Sequence, residues 1–211
     1  MKLGIMFDLD GTLWDSTEQI VTSWNQVLQQ YQKQVSLGQL QSLMGQTMDE
    51  IARQIMPEEP LDTRMKIFDQ CLEEENRYLE AHGGVLFPNV EETLQQLSRQ
   101  YPLFIVSNCQ SGYIEAFLHY HKLEQYFTDH ECFGNTGKGK AENEVLVAKR
   151  HELDRVIYVG DIQGDYDATK KAGFAFVHAA YGFGTVDADV ERAASFRELP
   201  EKIEKTRLKM A

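Results

Sequence analysis

Two carboxylates one residue apart, Asp8 and Asp10, end an apolar run in the stretch Ile5-Met6-Phe7-Asp8-Leu9-Asp10-Gly11-Thr12-Leu13. Residues i and i+2 of an extended chain share a face, so both acids can approach one ion or one substrate, and Gly11 frees the backbone to turn beside them. Carboxylates held this close repel each other, and a cation relieves the repulsion. Three more places carry reactive groups: Ser107-Asn108, Gly160-Asp161 with Asp165 four residues on, and the stretch Gly137-Lys138-Gly139-Lys140. Acids, a hydroxyl, an amide and an ammonium are together what a site for phosphate and a metal ion requires, the lysine neutralising phosphoryl oxygens.

These groups need elements that bring them to one place. All but the lysine stretch follow a short apolar run bounded by turn residues, the pattern of a strand buried on both faces: Ile5-Met6-Phe7, Leu103-Phe104-Ile105-Val106 and Val156-Ile157-Tyr158-Val159; Lys140 stands just before a helical pattern. From Pro88 onward such runs alternate with helical patterns over 90–99, 113–121, 142–151 and 166–172, with further short strands at 131–133 and 174–177. That alternation predicts a parallel sheet with helical crossovers, an α/β fold in which ligands bind beyond the carboxyl ends of the strands. A surface helix over 201–209 closes the chain.

The stretch 16–82 reads differently. Asp15-Ser16-Thr17-Glu18-Gln19 resembles a helix start with Ser16 as N-cap and Gln19 as its reciprocal partner, followed by an apolar stripe of Ile20, Val21, Trp24, Val27, Leu28 and Tyr31. Helices over 37–44, 47–55 and 61–80 follow, the last with Leu61, Met65, Phe68, Leu72 and Leu79 inward, and Gly83-Gly84 ends the segment. The expected organisation is one unit built from 1–15 and 83–211, interrupted by a helical unit at 16–82.

Composition narrows the class. A chain of 211 residues with 42% hydrophobic and 26% charged residues has the make-up of a globular protein rather than a disordered or fibrous one. Its net charge of −12 disfavours non-specific binding to nucleic acid or anionic membranes, while still allowing a local basic site for phosphate. Cys71, Cys109 and Cys132 are widely spaced and odd in number, which indicates neither a disulfide framework nor a zinc knuckle. With no export signal or membrane span in view, the expected location is the cytoplasm.

The order and spacing of these motifs across nearly the whole chain resemble the haloacid dehalogenase-like hydrolase superfamily, in its phosphoglycolate-phosphatase-like branch. The resemblance rests on the first motif, FDLDGTL from Phe7 to Leu13, on the strand ending in Ser107-Asn108, on Lys140, and on Gly160-Asp161-Ile162-Gln163-Gly164-Asp165. It implies a Rossmann-like doubly wound core with an inserted α-helical cap, and a phosphoric monoester hydrolase acting on a small phosphorylated metabolite of phosphoglycolate or sugar phosphate type. It further implies Asp8 as nucleophile, forming an aspartyl-phosphate, and Asp10 as general acid and base. Mg²⁺ would be held by Asp8, the Asp10 backbone carbonyl and Asp161, with Asp165 as a further ligand or a support behind them. Ser107, Asn108, the Gly11 backbone and Lys140 would bind the phosphate. Ala141 stands where the family usually has proline, and Lys138 is the alternative to Lys140. Lys140 is favoured because it directly precedes the expected helix.

Neighbouring chemistries fit less well. The acid at Asp10 argues against halide release, which needs no proton donor. Lys33 and Lys66 of the helical stretch lack the apolar setting that a Schiff-base lysine of a phosphonatase requires. Gly-Lys-Gly-Lys lacks the spacing of a nucleotide-binding P-loop. A sugar phosphomutase of the same superfamily and a non-enzymatic phosphate-sensing module are the competing readings. Gly45-Gln46-Thr47 resembles the branch's substrate-specificity turn, and equally an ordinary helix link. His119 and His121 are expected at the surface, Cys109 near the site as an inert thiol, and Trp14 and Trp24 in the packing of the helical unit.

Overall fold

The structure is a computed structural model that describes residues 2–44, 46 and 48–210. Strand β1 (Leu3–Phe7) leads to a short β2 (Trp14–Asp15) and then to four helices: α1 (Thr17–Leu28), α2 (Leu37–Leu43), α3 (Met48–Ile55) and α4 (Leu61–His82). The chain returns through β3 (Val85–Leu86) into α5 (Val90–Ser98), β4 (Leu103–Ser107), α6 (Tyr113–His121) and β5 (Asp129–Cys132). There follow α7 (Phe133–Thr136), α8 (Lys140–Arg150), β6 (Arg155–Gly160), α9 (Gln163–Ala172), β7 (Ala175–Ala179), β8 (Glu191–Ala193) and α10 (Leu199–Lys209).

Six strands form one sheet in the order β5-β4-β1-β6-β7-β8, and every pairing in it is parallel. The alternating side chains explain why these runs are strands. Ile5, Phe7, Ile105, Ile157 and Val159 pack on one face, whereas Met6, Phe104, Val106, Val156 and Tyr158 pack on the other, all buried. Both faces must therefore be apolar, and the crossover helices cover them. The strand order reverses direction at β1, so a crevice opens beyond its carboxyl end, flanked by β4 and β6. This is the Rossmann-like doubly wound arrangement.

The helical stretch leaves and rejoins the sheet through one narrow place. Strands β2 and β3 pair antiparallel, Trp14 opposite Leu86 and Asp15 opposite Val85. Beyond them α1 packs against α4, and α4 also packs against α6 beside the sheet. Trp24 meets Phe68 edge to face inside this helical group, ring centroids 5.1 Å apart.

Several local expectations are corrected. Ser16 makes no side-chain cap on α1; Asp15 does so, its Oδ1 accepting from Thr17 N and Oγ1 at 2.9 and 2.7 Å. The Ser16 hydroxyl is instead drawn to Asp10. Leu61, at the first position of α4, is 62% exposed, and Tyr31 lies past the end of α1, where the stripe no longer faces the core. Trp14 packs beside the sheet against Tyr113 and Phe117 rather than within the helical group. His121 is half-buried against Trp14, its ring 5.7 Å away, while His119 is exposed as expected. Cys109 is buried, and burial pushes its thiol well above the ordinary value, as an inert thiol requires. Helix α8 begins at Lys140, two residues earlier than the pattern indicates, and α9 at Gln163, three earlier. Among the described residues, no helix is long and apolar enough to cross a membrane.

Candidate active site

The loops after β1, β4 and β6 bring the predicted residues to the crevice. Asp8 follows β1 directly, its backbone N–H held by Val159 O at 2.9 Å, so the carboxylate is delivered at the sheet's edge. Lys140, on the first residue of α8, reaches back to donate to Asp8 Oδ1 at 2.9 Å and to Asp165 Oδ1. All three side chains are almost fully buried. Burial opposes the Lys140 ammonium, but Asp165 and Asp8 outweigh it and hold its pKa above the ordinary lysine value, so the lysine is charged. Lys138 is exposed and is not among the residues that line the cavity holding Asp8 and Lys140.

Asp8, Asp161 and Asp165 present carboxylate oxygens that all lie within 4.8 Å of one another. Asp161 Oδ2 accepts the Phe183 N–H at 2.8 Å, and Asp165 Oδ2 accepts those of Asp161 and Ile162 at 3.1 and 3.3 Å. Burial first, then the Asp165 charge, raises Asp8 to about 7; burial, then Asp165 and Asp8, raises Asp161 to about 8. One lysine does not balance this cluster. Three hard oxygen donors gathered in a buried place suit a hard divalent cation such as Mg²⁺.

Gly11 adopts φ +78°, and a Cβ there would collide with the Asp161 carboxylate, so only glycine lets the first loop pass so close to the third. The Leu13 N–H donates to Leu9 O at 2.8 Å, closing the turn within which Asp10 sits, and the Gly11 N–H donates to Trp14 O at 2.9 Å.

Asp10 is oriented by groups that sequence reasoning did not assign to it. Trp14 Nε1, the Ser16 hydroxyl and the Tyr113 hydroxyl all donate to its Oδ1, at 2.9, 2.6 and 2.8 Å. Three donors on one oxygen fix the carboxyl group. Burial raises its pKa above the ordinary value, and the three donors work against that rise. The only advance signal was proximity for Trp14 and Ser16; Tyr113 lies 103 residues away and carried none.

Asp8, Asp10, Ser107, Asn108 and Lys140 line a cavity whose wall the helical stretch shares. The helical stretch contributes Ile20, Trp24, Leu40, Met44, Met48 and Ile51 to its lining. Gln46 and Glu75 also reach it. Gly45 and Thr47, the rest of the expected specificity turn, lie outside the described residues.

Residues 5–179 match the family described as haloacid dehalogenase-like hydrolase. The chain belongs to that family. Among its relatives is the phosphoglycolate phosphatase of Vibrio parahaemolyticus, 28% identical over 196 residues, covering 85% of this chain and 84% of the relative. The phosphoglycolate phosphatase of Vibrio cholerae is 30% identical with the same coverage. The fold matches that of CbbY from Rhodobacter sphaeroides, solved with xylulose-(1,5)bisphosphate: TM-score 0.78 at 18% identity, covering 94% of this chain and 96% of that one.

Proposed function

We propose that the chain is a Mg²⁺-dependent phosphatase that hydrolyses a small phosphomonoester, of phosphoglycolate or sugar phosphate type, through an aspartyl-phosphate on Asp8. The observation that carries this reading is the buried contact of Lys140 with Asp8 beside Asp161 and Asp165. Relatives named phosphoglycolate phosphatase support a phosphatase acting on a small phosphorylated molecule.

An Asp8 oxygen attacks phosphorus, and the P–O bond to the alcohol breaks as the P–O bond to Asp8 forms. Asp10, oriented by Trp14, Ser16 and Tyr113, gives its proton to the departing alkoxide. Water then attacks phosphorus, Asp10 takes a proton from it, and the bond to Asp8 breaks, releasing inorganic phosphate. Ser107 and Asn108 hold phosphate oxygens, and Lys140 keeps nucleophile and phosphate in register. Asp8, the Asp10 backbone carbonyl and Asp161 would hold Mg²⁺, with Asp165 behind them bound to Lys140. The ion, when bound, offsets the negative charge of carboxylate and phosphate. The helices of 16–82 act as a cap whose side chains read the alcohol.

The test is turnover of p-nitrophenyl phosphate with Mg²⁺, together with trapping by fluoroberyllate, which mimics the phosphoryl group on an aspartate. Release of free phosphate and formation of a stable fluoroberyllate complex are expected. A protein that does neither is not this enzyme, and isomerised phosphate without free phosphate would make it a mutase.

A further inference from the structure

The part of the cavity wall that the helical stretch supplies is chemically one-sided. Its walls are apolar, from Ile20, Leu40, Met44, Met48 and Ile51, and Glu75 of α4 is the ionisable group the helical stretch places there. Glu75 is 2% exposed. Trp24 Nε1 donates to its Oε2 and Gln110 Nε2 to its Oε1 at 3.1 Å. Two such bonds leave further lone pairs on the carboxyl oxygens for a ligand donor. Gln110 also donates to Asn76 Oδ1 at 3.0 Å, and Asn76 donates to Ser111 O at 2.8 Å. Glu75 is thus pinned between the helical stretch and the loop that follows Ser107-Asn108.

Among the described residues, Lys140 is the cation that lines the cavity, and Asp8 and Asp165 already engage it. The cations of the helical stretch lie elsewhere. Lys33 pairs with Glu59, Arg77 pairs with Glu74, Arg53 and Arg64 border a separate groove with Asp49 and Asp62, and Lys66 is exposed.

We propose that Glu75 is a specificity-determining residue: it selects phosphomonoesters whose alcohol part is uncharged and bears hydroxyl donors, and rejects those bearing a carboxylate or a second phosphate. The argument holds for either protonation state. As a carboxylate, Glu75 repels a second anion across an apolar, low-dielectric space. As an acid, it offers one hydrogen bond but no countercharge, and a buried charge without a countercharge is costly. A hydroxyl, in contrast, can donate to the Glu75 oxygens, and its carbon frame can lie on the apolar walls. The proposal rests on the phosphatase reading and narrows it: phosphoglycolate, with its carboxylate, is the type this cavity disfavours.

The experiment uses substrates matched carbon for carbon. Glycerol phosphate is compared with 3-phosphoglycerate, and 2-hydroxyethyl phosphate with 2-phosphoglycolate, on the Mg²⁺-loaded full chain, with p-nitrophenyl phosphate as a reference. In each pair kcat/KM is expected to favour the hydroxyl partner by about tenfold or more. The preference should narrow in Glu75→Gln and invert toward the carboxylate in Glu75→Lys, changes of selectivity that a merely structural residue would not produce. A wild-type ratio of one or less, or a ratio unmoved in every folded variant, overturns the proposal. If Glu75→Lys does not fold, the wild-type and Glu75→Gln ratios decide. If p-nitrophenyl phosphate is turned over but the carboxylate partners are preferred, the specificity proposal alone fails. If nothing is turned over, the phosphatase reading fails and takes this proposal with it.

Discussion

Lys140 Nζ sits 2.9 Å from Asp8 Oδ1, across 132 residues of sequence, and the same ammonium also bonds Asp165. The contact ties the start of α8 to the end of β1 and gives two of the three clustered carboxylates a shared cation, with the centroid of the Tyr158 ring 5.6 Å from the ammonium. Its removal should therefore act on both chemistry and folding.

Lys140→Met is expected to lower kcat/KM on p-nitrophenyl phosphate by about 100-fold or more, the usual cost of losing one charge-stabilising donor from a site. Leaving buried carboxylates without their partner should also lower the unfolding free energy by about 3 kcal/mol in chelator. Steady-state kinetics and urea unfolding check the two effects. Activity within tenfold of the parent would remove Lys140 from the reacting centre.

Asp8→Asn separates catalysis from stability. It removes the nucleophile, so turnover and fluoroberyllate trapping should both vanish. It also removes one of three mutually repelling acids while Asp165 keeps its bond to Lys140. The metal-free variant is thus expected to melt no lower than the parent, with a smaller rise in Tm on adding Mg²⁺. Thermal melts with chelator and with Mg²⁺ measure this, and retained turnover would refute the assignment.

Much of this centre was legible because it sits where strands end. Apolar runs locate β1, β4 and β6, and their following residues, Asp8, Ser107 and Asp161, must then share an edge. The partners of Asp10 were less legible. Ser16 has the residue type and position of a helix cap, and nothing local reveals that its hydroxyl turns toward a carboxyl group six residues back. Tyr113 reads as the start of an amphipathic helix, and its hydroxyl reaches Asp10 only through the packing of α6. Glu75 falls on the same helical stripe as Phe68, Leu72 and Leu79, so the period of α4 places it inward, and what the sequence withholds is its partners, Trp24 and Gln110, which the packing of α4 with α1 and of α4 with α6 brings to it. Strands β2 and β3, of two residues each, are too short to leave a period, and three-residue β8 has the same difficulty.

Raised carboxyl groups make a prediction about pH. Asp8 is moved from 3.8 to about 7, Asp161 from 3.8 to about 8, and Glu75 and Glu144 from 4.5 to about 8, burial being the first cause in each. The folded chain therefore holds these protons more tightly than the unfolded chain. Their contribution to stability is full below the unfolded values near 4 and is lost as pH rises through 7 to 8. In chelator, Tm should fall by at least about 3 °C between pH 6.5 and 9. Mg²⁺ competes with protons for Asp8 and Asp161, so its stabilisation should grow over the same range. A metal-free Tm that rises across that range would contradict the buried-acid account.

Tyr113→Phe tests the role of Asp10. The Tyr113 hydroxyl donates to Asp10 Oδ1 at 2.8 Å, and such a bond favours the ionised form. Losing it should raise the Asp10 pKa, by up to about one unit for a bond worth about 1.4 kcal/mol. If Asp10 protonates the leaving group, the alkaline limb of kcat/KM moves to higher pH. The loss of rate should also depend on the alcohol. An alkyl phosphate, whose alkoxide needs the proton, should lose severalfold more than p-nitrophenyl phosphate, whose phenolate leaves without it. Equal losses on the two substrates, with an unmoved alkaline limb, would leave Asp10 as a structural acid and assign leaving-group protonation to another residue.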